Sequence, residues 1–363
     1  MVVKAKFPNF WSRIFLRPMF ERQFGVPGPP PKPLEIFLKW YERNILKVDI
    51  SHIQLYRPIF LIGLPRSGTT MLQDIICTHP NIAYITNTMH QFRSCFCAAE
   101  HFRKRLKLNV KGERYVRDSV EVDAGSPADA VAFWGEWLHE DPCSLDYMER
   151  RIEQFSADEI RQIRQTIRKV IWCFGRTANR FFSKNLVVLP NILLIKDIFP
   201  DAKIIHIIRD AKMCANSLLK LRRVEQEQLA NIRARGLRHD IYDDQPFVSY
   251  PRLPKLTEYV RKYGLEDIRT TAHLWNDAIS LINEKRDKLP SFYEVRYEDI
   301  LTNPKEEISK ILDFCELPEI KADNERFWKK LSQVGVLRHT NKYGEFEVVE
   351  EICGDNMRKY GYL

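Results

Sequence analysis

Long apolar runs are missing from this sequence. No stretch approaches the roughly 18 consecutive apolar residues that a membrane-spanning helix needs, and the longest strongly apolar stretches, such as 204–208, have the length of a strand. Residues 1–22 also lack the unbroken apolar core of a secretory signal. We therefore expect a cytoplasmic protein, and we leave open that it contacts a membrane peripherally.

Paired cysteines are missing as well. The eight cysteines are scattered along the chain, and no Cys-x-x-Cys pair occurs. A disulfide framework or a zinc site needs clustered thiols, so we expect reduced core residues instead. No group of His, Cys and Asp has the spacing of metal ligands, and we expect no bound metal.

Signatures of nucleic-acid binding are missing although the net charge is +9. The basic residues concentrate in 103–117 and 209–238, but no zinc-finger, RNP or basic-zipper pattern accompanies them. We therefore expect no nucleic-acid partner. Each basic stretch is either a solvated helix face or a surface for anionic lipid or a polyanionic small molecule, and the sequence leaves both open.

The predicted elements alternate between strands and helices. Apolar, strand-sized segments at 58–63, 203–208 and 292–297 are each followed by a helical pattern. This alternation predicts an α/β fold with a P-loop-like, doubly wound, mostly parallel sheet flanked by helices.

The chain is predicted to hold one domain at 34–363, preceded by an N-terminal arm at 1–33. The arm interleaves aromatic residues with arginines, which suits either packing on the protein's own body or contact with a membrane interface. Within the domain, about 89–183 is predicted to form a helical cap, and 101–183 is expected to be mainly helical. Residues 225–256, rich in Arg, Asp and Pro, are expected to form a mobile insert.

A phosphate-loop spacing occurs directly after the first predicted strand. The segment Gly63–Thr70 (GLPRSGTT) has the Gly-x-x-x-x-Gly spacing of a Walker A loop, in which backbone N–H groups at a helix start bind phosphate. Thr69 stands where nucleoside triphosphatases carry Lys, so the charge clamp for a γ-phosphate is absent. Arg66 supplies a planar cation suited to two oxygens of one anion. The alternative is a structural glycine turn with capping threonines.

A second anion site is predicted at the end of the second strand. Arg209 closes an apolar strand, so its guanidinium should emerge at the carboxyl edge of the sheet, where ligands bind in open α/β folds. Ser217 lies about two helical turns later and can face the same anion. The alternative is that Arg209 only pairs with Asp210 or caps the edge of the sheet.

Taken in order, these motifs resemble those of the PAPS-dependent sulfotransferases, where PAPS is 3′-phosphoadenosine-5′-phosphosulfate. The segment 65–70 is similar to the 5′-phosphosulfate loop of bacterial members and tyrosylprotein sulfotransferases. The segment 199–217 resembles the 3′-phosphate motif, and 296–301 (RYEDIL) resembles a strand-ending motif of the family. The resemblance covers about 58–315.

The resemblance implies transfer of a sulfuryl group from PAPS to a hydroxyl or an amine, without a metal. Catalytic roles are expected for Arg66 and for Lys184, which lies near the position of a family active-site lysine. The residues expected to bind the donor are Pro65, Arg66, Ser67, Gly68, Thr69, Thr70, Arg209, Ser217, Tyr297 and, in the C-terminal stretch, Arg338 and Lys342.

The general base is where the sequence departs from the family. Tyrosylprotein sulfotransferases carry a catalytic Glu where this chain has Asn87, and an amide cannot accept the proton. Nearby His90, with an ordinary pKa of about 6.5, is the expected base. Further candidates are Glu136, His139, Glu140 and Asp123.

The acceptor is left open, with a carbohydrate, a lipid or a glycolipid expected from the aromatic residues in 89–172 and 222–257. Two other functions also stay open: a P-loop small-molecule kinase, and a non-catalytic nucleotide- or lipid-binding relative.

Overall fold

The computed structural model describes residues 7, 9–13, 30–108, 110–113, 121–141, 144–234, 248–335 and 343–363. The contacts between Cα atoms divide the chain into two compact units. Unit 1 comprises 1–56, 80–139 and 156–183, and unit 2 comprises 57–79, 140–155 and 184–363.

Strands and helices alternate along the described residues. The strands are β1 Ile59–Ile62, β2 Ile82–Ala83, β3 Lys111–Glu113, β4 Glu121–Asp123, β5 Arg180–Lys184, β6 Lys203–Ile208 and β7 Phe292–Arg296. The helices are α1 Lys32–Tyr41, α2 Thr69–Ile76, α3 Asn87–Gln91, α4 Phe96–Arg105, α5 Val131–Trp137, α6 Ala157–Phe174, α7 Ile192–Ile198, α8 Ala211–Ala234, α9 Leu256–Tyr263, α10 Ile268–Lys285, α11 Tyr297–Thr302, α12 Pro304–Phe314, α13 Glu325–Ser332 and α14 Phe346–Lys359.

Unit 2 contains three parallel strands in the order β1-β6-β7. All residues of β1 and all but the first of β6 are buried, as expected for strands covered by helices on their faces. His206 pairs in register with Glu294, and its Nδ1 lies 2.7 Å from Glu294 Oε2. The three predicted strands are therefore found within one or two residues of their predicted bounds, and the prediction of a mostly parallel α/β fold flanked by helices is confirmed.

Unit 1 contains the parallel pair β2 and β5 and the antiparallel pair β3 and β4. Its long helix α6 begins at a capping box, in which Ser156 and Glu159 satisfy each other's backbone N–H groups. An apolar cluster around the fully buried Leu38 includes Phe92, Cys95 and residues of α4, which hold α1 in place.

Two predictions about the middle of the chain are wrong. Residues 101–183 are not mainly helical, because the β3–β4 ribbon and the strand β5 interrupt the helices there. Residues 225–234 continue α8, stabilised by a buried ion pair between Arg222 and Glu225. After the segment 235–247, which lies outside the described residues, Val248 and Leu253 are buried rather than mobile surface.

The prediction of an N-terminal arm falls mostly on residues outside the described ranges, and the single domain with a helical cap at about 89–183 stays a prediction. In the described part of the chain, no helix is long and apolar enough to cross a membrane.

Candidate active site

The loop between β1 and α2 has the backbone of an anion-binding turn. Gly68 precedes the first residue of α2 with φ of +95°, and it has no side chain that could cap the first N–H groups of the helix. Ser67 closes the turn, since its backbone N–H and its hydroxyl both donate to Leu64 O, at 3.2 and 2.5 Å. The helix start therefore has no side-chain cap from the residue before it, and the helix dipole there favours an anion.

Two glycines of the loop are required by close packing. A Cβ on Gly63 would lie 2.7 Å from Ile207 O of β6, and a Cβ on Gly68 would lie 2.3 Å from the ring of Tyr297. Because real Cβ atoms do not approach so closely, both positions exclude any larger residue. The predicted glycines thus have a structural reason that spacing alone did not reveal.

Arg66 links the loop to helix α8. Its backbone adopts the left-handed conformation with φ of 75°, which is uncommon outside glycine. Its guanidinium Nε donates to Ser217 Oγ at 3.0 Å. Arg209 Nη1 in turn donates to Arg66 O at 2.8 Å. The structure therefore brings together residues of the two anion sites that the sequence analysis predicted as separate.

Arg209 is held from several sides. Its guanidinium carbon lies 4.7 Å from the centroid of the Tyr297 ring, a cation–π contact. Trp275 Nε1 donates to Arg209 O at 3.0 Å. The buried Nε of Arg209 has no hydrogen-bond partner among the described residues, so this N–H group is available to an anion. We call Arg66, Arg209, Ser217 and Tyr297 the arginine cluster.

Residues outside the sequence predictions support the arginine cluster. Glu298 Oε1 accepts from the N–H of Asp210 at 3.1 Å, and Glu298 Oε2 accepts from the hydroxyl of Tyr362 at 2.9 Å. Cys214 Sγ lies 3.6 Å from Pro65 O. Glu298 stands inside the RYEDIL segment and could have been suspected, whereas Tyr362 and Trp275 are too distant in sequence to carry a local signal.

The chain returns to helix α8 shortly before its C-terminus. Asn216 Nδ2 donates to Gly344 O at 3.0 Å, and the N–H of Gly344 donates to Asn216 Oδ1 at 3.1 Å. These two bonds fix Gly344 beside Asn216, which directly precedes Ser217 in the sequence. The predicted donor ligands Arg338 and Lys342 lie in 336–342, outside the described residues.

Lys184 ends strand β5 and is only 3% exposed, so it is not an ordinary surface lysine. The next residue, Asn185, donates its N–H to Leu61 O of β1 at 3.3 Å. Its side-chain Oδ1 accepts from the N–H of Val187 at 2.7 Å, which turns the chain after the strand. A buried lysine charge has to be compensated by neighbouring groups, so the ammonium of Lys184 is held in place at the end of β5.

His90 lies in α3 of unit 1 and is 8% exposed. Its Nε2 accepts the N–H of Ala132 at 3.2 Å, so the unprotonated nitrogen already has a partner. Burial, with a contribution from nearby Arg93, lowers the pKa of His90 to about 4. Both observations count against His90 as a general base near neutral pH.

The other candidate bases differ in their surroundings. Asp123 Oδ1 accepts from the N–H of Gly125 and the hydroxyl of Ser126, at 2.8 and 3.0 Å, which makes it a turn residue. Glu136 is 74% exposed at its side chain, and exposed His139 pairs with Glu159.

Glu140, in unit 2, is half-buried, and burial raises its pKa above the ordinary value of a carboxyl. Its Oε1 accepts from Asn191 Nδ2 at 3.3 Å. Among these carboxylates it has the environment best suited to proton transfer.

Asn87, which occupies the family's base position, has a structural role in unit 1. Its Nδ2 donates to Asp123 O at 2.9 Å, and its N–H donates to Ser126 O at 3.0 Å. The amide thus fastens the start of α3 to the end of the β3–β4 ribbon. In the described residues no group of three or more His, Cys, Asp or Glu side chains is placed to hold a metal ion.

The sequence model of the Sulfotransferase family matches residues 58–246 and 244–321. Omega-hydroxy-beta-dihydromenaquinone-9 sulfotransferase Stf3 of Mycobacterium tuberculosis is 23% identical over 329 residues, which cover 84% of this chain and 75% of that protein. A protein-tyrosine sulfotransferase of Drosophila melanogaster is 20% identical, over 72% of this chain and 38% of that protein.

Among solved structures, this chain is similar to sulfotransferase STF1 of Mycobacterium tuberculosis, with a TM-score of 0.51 at 13% identity. The match covers 88% of this chain and 81% of STF1. Sulfotransferase STF9 of Mycobacterium avium matches with a TM-score of 0.50 at 15% identity, over 89% of this chain and 81% of STF9. At these identities the structural likeness establishes the fold.

Proposed function

The chain belongs to the sulfotransferase family and is a sulfotransferase, and from this premise we propose that its donor is PAPS and its acceptor an alcohol or amine. The single observation that supports this most is the arginine cluster, which joins the uncapped start of α2 to a second arginine and a buried serine. PAPS carries phosphate at both ends of its sugar, and the cluster offers cations and donors for both.

The proposed reaction is an in-line displacement at sulfur. The acceptor oxygen forms a new bond to sulfur while the bond from sulfur to the bridging oxygen breaks. Adenosine 3′,5′-bisphosphate leaves, and the acceptor proton passes to a base. Because negative charge develops on the bridging oxygen, cations near that oxygen lower the barrier. We assign this role to Arg66 and Lys184.

Donor binding is assigned to the remaining loop residues and to the strand end. The N–H groups of 65–70, with the hydroxyls of Thr69 and Thr70, would hold the 5′-phosphate. Arg209 and Ser217 would hold the 3′-phosphate, and Tyr297 would fix both Gly68 and Arg209. Thr69 replaces the lysine that a triphosphate needs, which argues against ATP as the donor.

The C-terminal stretch is proposed to complete the donor site. The bonds between Asn216 and Gly344 fix the chain next to Ser217. We propose that Arg338 and Lys342, which precede Gly344 in the sequence, contribute cations to the same end of the donor.

The acceptor is proposed to be a lipid, a glycolipid or a carbohydrate that carries a free hydroxyl. The Mycobacterium relative is named for a hydroxylated menaquinone, which is a lipid alcohol. We also propose that the protein is cytoplasmic and that the N-terminal arm contributes a peripheral membrane contact.

A thermal-shift panel tests the donor. We expect adenosine 3′,5′-bisphosphate to raise the melting temperature without Mg²⁺, since binding to the folded state stabilises it. ATP with Mg²⁺ should change it little. A larger shift with ATP would contradict the proposal and favour a kinase. If the bisphosphate binds but ³⁵S-PAPS labels no alcohol or amine in a broad acceptor screen, the chain is a binding relative rather than an active enzyme.

A further inference from the structure

Exposed large apolar side chains concentrate on one short stretch of unit 1. Ile36 and Trp40 of α1 are 69% and 53% exposed, and Ile45 in the π-helical turn that follows is 53% exposed. Phe37, between them, is also exposed. The other exposed large apolar side chains of the described residues lie outside this stretch, in separate segments: Phe10, Trp11, Tyr56, Leu106, Met148, Trp328, Phe346 and Leu363.

Helix α1 packs mainly through another face, although the ring of Phe37 also lies 6.0 Å from that of Phe102. Its opposite face is already buried, with Leu38 fully inside the cluster of Phe92 and Cys95, and with Leu34 and Tyr41 packed against that cluster. Ile36, Phe37 and Trp40 lie on the remaining face, within about 100° of arc at the helical repeat. We call these three residues and Ile45 the outer face.

The charges around the outer face have one sign. In 32–47 the exposed charged residues are all cations, namely Lys32, Lys39, Arg43 and Lys47. Both acids of the stretch are half-buried and bound, since Glu35 accepts from Ser94 Oγ and Lys39, and Glu42 accepts from the N–H of Ala98. Aromatic and aliphatic side chains flanked by cations have the chemistry of a surface that lies on anionic lipid.

We propose that the outer face of α1 docks on an anionic lipid bilayer, with Ile36, Phe37, Trp40 and Ile45 entering the headgroup region and the four cations contacting lipid phosphates. A second copy of this chain fits less well, because it would bring the same cations together. The N-terminal residues also carry more cations than acids, so their charge does not complement this surface. The inference does not depend on the proposed sulfuryl transfer.

Vesicle sedimentation tests the proposal on the full chain. The parent protein should sediment with vesicles of phosphatidylcholine and phosphatidylglycerol, and less with phosphatidylcholine alone. Added NaCl should weaken the binding, because salt screens the cations. The double variant Ile36→Ser/Trp40→Ser should bind at least about tenfold more weakly, because two partly buried apolar groups are lost.

A matched control uses Trp328, an exposed tryptophan of α13 in unit 2. Trp328→Ser should bind vesicles as the parent does. Brominated lipid should quench tryptophan fluorescence in the parent, and Trp40→Phe should keep the binding but show less of that quenching. All variants should keep the circular dichroism of the parent, which shows that they fold.

Three results would overturn the proposal: equal vesicle binding by the parent and the double variant, an equal loss in Trp328→Ser, or no binding by the parent. Light scattering measures the molecular mass in solution. A lower mass for the double variant than for the parent, with unchanged vesicle binding, would show that the outer face joins two copies of this chain. Failure of the bisphosphate to bind would contradict the proposed donor but leave the vesicle result unaffected.

Discussion

Single residues of the loop are constrained by contacts that come from distant segments. Gly68 is fixed by the ring of Tyr297, and Arg66 by Ser217 and Arg209. The motif spacing predicted Gly68 and Arg66 as loop residues, but it did not predict the contacts that require them there. Spacing reports which groups can bind an anion, whereas the close approach of a tyrosine ring depends on how a strand far along the chain ends.

Gly68→Ala should weaken binding of adenosine 3′,5′-bisphosphate more than tenfold. The new Cβ would meet the Tyr297 ring at 2.3 Å, and the left-handed backbone would be strained by roughly 1–3 kcal/mol. Calorimetric titration measures the affinity.

Gly135→Ala is the control, because nothing lies within 4 Å of its Cβ in helix α5. That change should leave the affinity intact and stabilise the fold by about 0.5–1 kcal/mol. Equal affinities for Gly68→Ala and the parent would show that the loop tolerates the clash.

His90→Gln should keep turnover within a few-fold of the parent. The Gln Oε1 can accept the N–H of Ala132 as His90 Nε2 does. A histidine with a pKa of about 4 is a weak base near pH 7, so its loss should change turnover little. Turnover across a range of pH, with a protein-stability control, measures the effect. A large loss of turnover in a stable variant, together with a changed pH profile, would restore His90 as the base.

At the scale of elements, the strands of unit 2 were predictable and much of unit 1 was not. The segments 59–62 and 203–208 are short, apolar and bounded by turn residues, so their pattern has one interpretation. The ribbon β3–β4 has three residues in each strand and a polar composition, and it gives no comparable pattern. Residues 225–234 were predicted to belong to a mobile insert but continue helix α8, because a charge pattern does not reveal that Arg222 and Glu225 form a buried pair.

The pair of His206 and Glu294 should make the stability of the β6–β7 pair depend on pH. Burial would raise the pKa of Glu294, but the hydrogen bond with His206 and the charge of Arg286 lower it overall. A carboxyl whose folded pKa lies below its unfolded pKa stabilises the fold above the unfolded pKa of about 4.3. That stabilisation is lost as the pH falls through the folded pKa.

Glu294→Gln should therefore lower the unfolding free energy by about 1–3 kcal/mol at pH 7. The difference from the parent should shrink as the pH falls below about 4. Urea unfolding at several pH values measures it. Glu351→Gln, at an exposed position of α14, should have little effect. An unchanged difference at low pH would mean that the charge of Glu294 does not contribute.

At the scale of the whole molecule, composition predicted the chemical state of the thiols. None of the described cysteines forms a disulfide, and those at 77, 95, 97, 214, 315 and 353 are buried. Burial raises the pKa of Cys95 and of Cys214 to about 12, so their thiolates are scarce at neutral pH. The scattered spacing was sufficient here, because the conclusion did not require knowing which residues meet in space.

The native protein should expose few thiols to Ellman's reagent. We expect the six buried cysteines to react only after unfolding in guanidinium, which should release the full set of eight. Absorbance of the released chromophore measures both states. Fast reaction of three or more thiols in the native state would contradict this burial, since only two of the eight cysteines are outside the buried set.

The hydrogen bond between Arg66 and Ser217 also bears on how a two-ended ligand is recognised. Arg66 is assigned to the sulfated end of the donor and Ser217 to its 3′-phosphate. In the free protein these two residues bind each other. A nucleotide with one phosphate has to break this hydrogen bond and then binds only one of the two residues. A nucleotide with both phosphates breaks the bond once and binds both residues. The binding free energy of the bisphosphate should therefore be more favourable than the sum of the binding free energies of its two monophosphate fragments. The donor site would then select ligands that carry both phosphates.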